Sequence, residues 1–124
     1  AIESRMNKID LSQYQKWVRE MWNWQDMDVE PKPLTFRDDY LMATGLGGET
    51  GEVLEVLKKY VRSHLDTPDK LELLLELGDV MYYLTMIAER YGLNLNEILE
   101  ANVNKLESRK ATRLAEKITS TVIC

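Results

Sequence analysis

GLGGETGEV at residues 45–53 and ELGD at residues 76–79 decide the fold, because each places two acids three residues apart. The pairs are Glu49 with Glu52 and Glu76 with Asp79. Residues at i and i+3 share one face of an α-helix, so both stretches predict helices with paired carboxylates on one side. Carboxylates beside a core-facing stripe are unfavourable unless a cation compensates their charge. Four such oxygen donors on two helices suit Mg²⁺ or Mn²⁺.

The composition describes one domain that lacks the residues other common sites need. A chain of 124 residues supports a single core. Its 16 basic and 21 acidic residues give a net charge of −5, which argues against binding a nucleic-acid polymer. The one histidine, His64, excludes multi-histidine metal sites, and the one cysteine, Cys124, suits a reducing cytoplasm. Charges interrupt the most apolar stretch, residues 71–91, so neither a membrane span nor a signal peptide is predicted.

Capping signals and the helical spacing of apolar residues predict four helices and no strand, which is an all-α fold. The first expected helix covers 10–25 and is opened by Asp10 with Gln13, and the second runs from Thr35 to about Arg62 and is opened by Thr35 with Asp38. The third covers about 68–91, with Pro68 at the first helical position and Gly92 just past the end. A fourth helix begins at Asn94. The second range contains four glycines, each of which weakens a helix by about 1 kcal/mol relative to alanine, so a loop there is the alternative. Residues 29–33 are predicted to be a stiff, proline-restricted linker.

These signals divide the chain into three parts. Residues 1–9 are interpreted as a disordered or artificially added N-terminus, in which Ala1 to Arg5 precede a native start at Met6. Residues 10–110 form the helical domain, and residues 111–124 form a C-terminal helical extension or tail.

Three helices carry apolar stripes that should be buried. On the second helix the stripe is Val53, Val56, Leu57, Tyr60 and Val61; the third has Leu71, Leu74, Leu75, Met81 and Tyr82 on one face and Leu77, Val80, Leu84, Ile87 and Tyr91 on another; the fourth has Ile98, Leu99, Val103 and Leu106, beside a polar row of Asn102, Lys105 and Arg109. A helix that is apolar on two faces must be covered from two directions. We therefore expect a homodimer at least.

With both acidic stretches placed, roughly residues 10–109 resemble the MazG family of all-α nucleoside triphosphate pyrophosphohydrolases. The resemblance rests on GETGEV at 48–53, LKK at 57–59, ELGDVMYY at 76–83 and NVNKL at 102–106 followed by Arg109. Members often carry two consecutive glutamates at the first motif, whereas Gly48 stands at the first of those positions here. A fifth acid is therefore absent from that position and the four-carboxylate set remains. The implied fold is four-helix-bundle-like and oligomeric, and the resemblance together with the two-faced third helix favours a dimer of dimers.

The resemblance implies Mg²⁺-dependent cleavage of (deoxy)nucleoside triphosphates between the α and β phosphates, with monophosphate and pyrophosphate as products. The implied role is house-cleaning or control of the deoxynucleotide pool. In this family pattern the metal would be held by Glu49, Glu52, Glu76 and Asp79, and Glu52 would also act as general base. Phosphate oxygens would be bound by Lys59, Lys105 and Arg109, and Asn102 would hydrogen-bond the sugar or a phosphate. The sugar or base would pack on Tyr83 or Trp22. The plain alternatives are solvent-exposed helix surface for Lys59 and Arg109, and a core position for Tyr83.

Other interpretations of the whole chain remain open. A related phosphoribosyl-ATP pyrophosphohydrolase shares the architecture, and a helical interaction module would carry the same acids as mere surface. A ferritin-like di-iron protein is disfavoured because its site requires two Glu-x-x-His motifs and only His64 is present. The first helix has an apolar stripe of Leu11, Tyr14, Val18, Met21 and Trp22. Trp17 and Trp24 fall outside that stripe, so each either packs against another helix or stacks on a nucleobase.

Overall fold

The computed structural model describes residues 9–25 and 32–123, and four α-helices contain most of them. Helix α1 spans Leu11–Gln25, α2 Phe36–Arg62, α3 Lys70–Arg90 and α4 Leu95–Ile123. The described residues contain no strand, so the predicted all-α fold is confirmed. None of these helices combines the length and apolar character needed to cross a bilayer. Residues 1–8, most of the predicted 29–33 linker and Cys124 lie outside the described residues.

Both predicted capping signals open helices. At α1, the Gln13 N–H donates to Asp10 Oδ1 at 2.8 Å, while the Asp10 N–H donates to Gln13 Oε1 at 3.0 Å. At α2, the Thr35 N–H donates to Asp38 Oδ2 at 2.8 Å. Helix α2 then continues without interruption through all four glycines, so the loop alternative is wrong.

The start of α3 differs from the sequence prediction. Asp69, rather than a residue before Pro68, is the N-cap, and its side chain accepts the Glu72 N–H at 3.0 Å. Pro68 therefore precedes the cap and the helix begins at Lys70. The predicted end of α3 is confirmed, because Gly92 follows the C-cap residue with a φ of +67°, a left-handed conformation that glycine adopts without strain.

The core lies at one end of the molecule, where α1 packs on the hairpin formed by α2 and α3. Its buried side chains are Val18, Trp22, Met42 and Met86. Gln15 fixes the start of α4 to α1: its Nε2 donates to the Leu93 carbonyl at 2.7 Å, and the Leu95 N–H donates to Gln15 Oε1 at 3.1 Å. An ion pair at 2.8 Å between Arg90 Nε and Asp39 Oδ1 joins α3 to α2 at the same end.

A single chain buries the three predicted stripes only in part, as expected for faces that a second copy would cover. Val56 is buried, and eight stripe residues are half-buried: Val53, Tyr60, Val80, Met81, Tyr82, Leu84, Ile87 and Ile98. The others are exposed: Leu57 and Val61 of α2, Leu71, Leu74, Leu75 and Leu77 of α3 with Tyr91 just past its end, and Leu99, Val103 and Leu106 of α4. The physical reason is length, because the 15-residue α1 spans about 22 Å and the 27-residue α2 about 40 Å. Helix α4 continues through residue 110 as far as Ile123.

Candidate metal centre

Three of the four predicted acids meet where α2 lies beside α3. Carboxylate oxygens of Glu49, Glu76 and Asp79 lie within 4.8 Å of one another. Glu49 and Glu76 are half-buried and Asp79 is exposed. Glu52, the fourth predicted acid, is exposed on α2 and lies outside this group, which we call the carboxylate triad.

The triad is electrostatically unfavourable without a cation. Burial raises the pKa of Glu49, and the charges of Asp79, Glu76 and Glu52, together with a hydrogen bond to Glu76, raise it further. Like charges at this separation resist simultaneous ionisation, and a bound cation would remove that repulsion. The donor set consists of hard carboxylate oxygens contributed by two helices, which is the chemistry that Mg²⁺ and Mn²⁺ prefer. The residues present therefore fit a divalent cation.

The predicted phosphate-binding side chains are not gathered around the triad in a single chain. Lys59 Nζ lies 3.4 Å from Glu72 Oε1, in an exposed pair that links α2 to α3. Asn102, Lys105 and Arg109 are exposed on α4, whose main contact within the described residues is a short one with α1. Helix α4 of the same chain therefore does not pack along the hairpin that carries the acids.

The two predicted base- or sugar-packing residues belong largely to the core. Trp22 is only 6% exposed, and its Nε1–H donates to Asp38 Oδ1 at 3.0 Å. Tyr83 is half-buried, and its ring lies directly against Gly45 on α2. These placements fit packing roles for both residues, which for Tyr83 was the alternative stated above.

Sequence reasoning did not include Tyr14 among the site residues. The pKa of Tyr14 is raised by burial and by the negative charge of Asp79, so its hydroxyl lies within electrostatic reach of the triad. Burial, with the neighbouring hydroxyls of Tyr83 and Tyr14, raises the pKa of Tyr82 to about 12. The i, i+3 spacing of Asp79 and Tyr82 was an available signal, whereas nothing local linked Tyr14 to α3.

The fold and the triad define an all-α protein with a carboxylate cluster suited to a divalent cation. The chain belongs to the MazG nucleotide pyrophosphohydrolase domain family, whose sequence pattern matches residues 38–114. This assignment confirms the resemblance seen in the sequence.

Two relatives illustrate how the family similarity is distributed. The chain is similar to the Gene 37 protein of Mycobacterium phage L5, with 38% identity over 69 residues, which is 53% of this chain and 60% of that protein. It is also similar to the uncharacterized protein YvdC of Bacillus subtilis (strain 168), with 26% identity over 110 residues, 82% of this chain and 96% of that protein. Neither name states an activity. No solved structure matches the chain.

Proposed function

We propose that the protein is a Mg²⁺-dependent pyrophosphohydrolase that cleaves (deoxy)nucleoside triphosphates between the α and β phosphates. The products would be a nucleoside monophosphate and pyrophosphate, and the role house-cleaning or control of the deoxynucleotide pool. The observation that carries this proposal is the meeting of Glu49, Glu76 and Asp79 within 4.8 Å, in a chain of the MazG family.

The four acids divide into two roles in this proposal. Glu49, Glu76 and Asp79 would hold Mg²⁺ or Mn²⁺, with Glu52, from the next turn of α2, as a fourth ligand. When bound, the ion neutralises charge on the phosphate oxygens and promotes ionisation of water. In this proposal Glu52, which is exposed, would also accept the proton of the attacking water and so act as general base.

The phosphate-binding residues argue for an assembly. Lys59 on α2 would reach phosphate oxygens from the same chain. Lys105 and Arg109, with Asn102 toward the sugar, lie on a helix that leaves its own hairpin uncovered. In the proposed homo-oligomer, a dimer or a dimer of dimers, α4 of one copy covers the hairpin of another and supplies these groups.

A nucleotide panel tests the activity directly. Purified protein with Mg²⁺ would be incubated with each ribo- and deoxynucleoside triphosphate and with phosphoribosyl-ATP, and pyrophosphate release would be followed. Asp79→Asn should abolish release, whereas Glu55→Gln, which changes an exposed acid on α2 that pairs with Lys58, should retain it. Free orthophosphate appearing from a γ-labelled substrate would place the cut at the wrong bond and contradict the proposal.

A further inference from the structure

Five aromatic rings from α1 and α3 form a continuous cluster, which we call the aromatic wall: Tyr14, Trp17 and Trp22 from α1, and Tyr82 and Tyr83 from α3. The ring centroids of Tyr82 and Tyr83 lie 5.3 Å apart in an edge-to-face contact. Trp22 meets the same two tyrosines at 6.3 and 6.2 Å. The buried end of the wall belongs to the core described above.

Trp17 is the exposed end of this wall. Its ring stacks on Tyr14 with centroids 5.9 Å apart, and it meets the edge of Tyr82 at 6.2 Å. Yet 42% of Trp17 remains exposed, compared with 6% of Trp22. A tryptophan supported by two rings has little freedom left to lose, so a ligand that contacts its open surface orders few additional groups.

The wall begins one helical turn from the carboxylate triad. Tyr82 and Tyr83 follow Asp79 by three and four residues, so they lie on the same side of α3 one turn further on. Tyr83 also lies against Gly45, which precedes Glu49 by one turn of α2. Trp17 meets Tyr82 and is itself partly exposed, so it carries the wall from Tyr82 to the protein surface. The effect of the Asp79 charge on Tyr14 supports the same proximity.

We propose that the exposed surface of Trp17, braced by Tyr14 and Tyr82, is the surface on which the base of the nucleotide stacks. This inference rests on the proposed function, which puts the phosphates over the triad. A nucleotide held there by its phosphates carries its base on the far side of the sugar, where Trp17 offers an aromatic surface. Trp17 takes this role in place of Trp22, whose ring is enclosed and whose N–H is bonded to Asp38.

Stacking of this kind has a defined chemistry. Every base presents a π-face, so a tryptophan surface binds all bases and discriminates among them weakly. We expect purine nucleotides to be held more tightly than pyrimidine nucleotides, because the larger ring system covers more of the indole. Loss of one base–aromatic stack weakens binding by about tenfold.

The test compares a nucleotide with a base-free substrate. Wild type, Trp17→Ala and Trp17→Phe would be assayed with deoxyadenosine triphosphate and with 2-deoxyribose 5-triphosphate. The matched control is Trp24→Ala, on the same helix and 66% exposed. Binding of a deoxyadenosine triphosphate analogue with a non-hydrolysable α–β bridge would be measured by calorimetry in parallel, so that the stacking is judged whether or not turnover occurs.

Trp17→Ala should raise KM and the analogue's Kd by about tenfold, with a smaller rise for Trp17→Phe. It should leave kcat and the base-free KM unchanged, and Trp24→Ala should match wild type. Three results for Trp17→Ala would overturn the inference. They are an equal rise in KM for both substrates, no rise in KM for either substrate, and a change in oligomeric mass. Wild type that binds the analogue through Trp17 but releases no pyrophosphate would instead refute the proposed function alone.

Discussion

Gly45 of α2 and Tyr83 of α3 are in direct contact, and a Cβ atom at residue 45 would overlap the tyrosine ring. The contact lies one turn from Glu49 on α2 and one turn from Asp79 on α3. It therefore controls how closely the two carboxylate-bearing turns approach each other. Glycine is required here for space, because the backbone at residue 45 is ordinary helix.

Gly45→Ala should destabilise the protein by about 1–3 kcal/mol, because the added methyl group displaces a half-buried ring. It should also lower activity by moving Asp79 relative to Glu49. Gly47→Ala is the matched control, since nothing lies within 4 Å of its added Cβ, and it should gain up to about 1 kcal/mol from helix propensity. Urea denaturation of the two variants would decide this, and equal midpoints would show that the Tyr83 ring moves aside freely.

Glu76→Gln should melt at or above the wild-type temperature in EDTA, because it removes one of the charges that repel Glu49. It should nevertheless lose at least about 100-fold in activity, since even residues that only support a metal ligand cost 10–100-fold when changed. Mg²⁺ should raise the wild-type melting temperature by mass action and that of the variant much less. A variant that melts clearly lower in EDTA yet stays active would make Glu76 a structural residue.

The raised pKa of Glu49 gives a pH dependence of definite sign. A carboxyl with a higher pKa in the folded state binds its proton more tightly there than in the unfolded chain. Ionised Glu49 therefore lowers stability above its folded pKa, and this cost disappears as pH falls below the unfolded value. In EDTA, Glu49→Gln should exceed wild type in stability at neutral pH, and the difference should vanish near pH 4. Denaturant midpoints across that range measure it; a constant difference would refute it.

Trp22 and Asp38 form a buried polar pair whose loss should be costly. Burial raises the pKa of Asp38, but hydrogen bonds from Thr35 and Trp22, with the charge of Arg37, hold it below the usual range. Trp22→Phe leaves a buried carboxylate without one donor and should cost about 1–3 kcal/mol. Trp24→Phe, at an exposed position, should change stability by less than about 0.5 kcal/mol.

The pair of Trp22 and Asp38 should also make the stability of the fold depend on pH. Because the folded pKa of Asp38 is depressed, its stabilisation is present at neutral pH and is lost as pH falls below the ordinary carboxyl range. Asp38→Asn should therefore be less stable than wild type at pH 7, and the gap should narrow in acid. A gap that widens in acid would contradict this assignment.

The exposed leucines of α3 predict self-association. Leu71, Leu74 and Leu75 are each more than half exposed, and such patches are rare on monomers. Light scattering at micromolar concentration should give a mass at least twice the 14.5 kDa of one chain. Leu71→Glu should lower that mass, whereas Ser12→Glu, at an exposed position of α1, should not. A wild-type mass of one chain would refute the assembly.

The sequence predicted the parts of the fold that depend on neighbouring residues. Helix caps at Asp10 and Thr35 act over three residues, so local chemistry was enough to place them. The triad could be predicted as two pairs, because i, i+3 spacing is itself local. The exclusion of Glu52 from it, and the contact of Tyr83 with Gly45, depend on how two helices lie against each other. No pattern within one helix contains that information.

Burial was the least predictable property for a related reason. Apolar periodicity in α3 and α4 identifies faces that need a cover, but it does not say which chain supplies the cover. Leu99 and Leu106 therefore match the inward pattern and are still exposed in one chain.

Helix α4 runs for 29 residues, and from Leu99 onward its described side chains are all exposed. A helix segment that packs on nothing is held only by its own backbone hydrogen bonds, and such segments are marginal in water. In the proposed oligomer a second copy would cover this segment, so the helical content of α4 should fall when dilution dissociates the oligomer. Circular dichroism at falling protein concentration should lose ellipticity before the core unfolds, and amide exchange should be fastest between residues 106 and 121. The helical content of the last turns of α4 would thus measure what fraction of the protein is assembled.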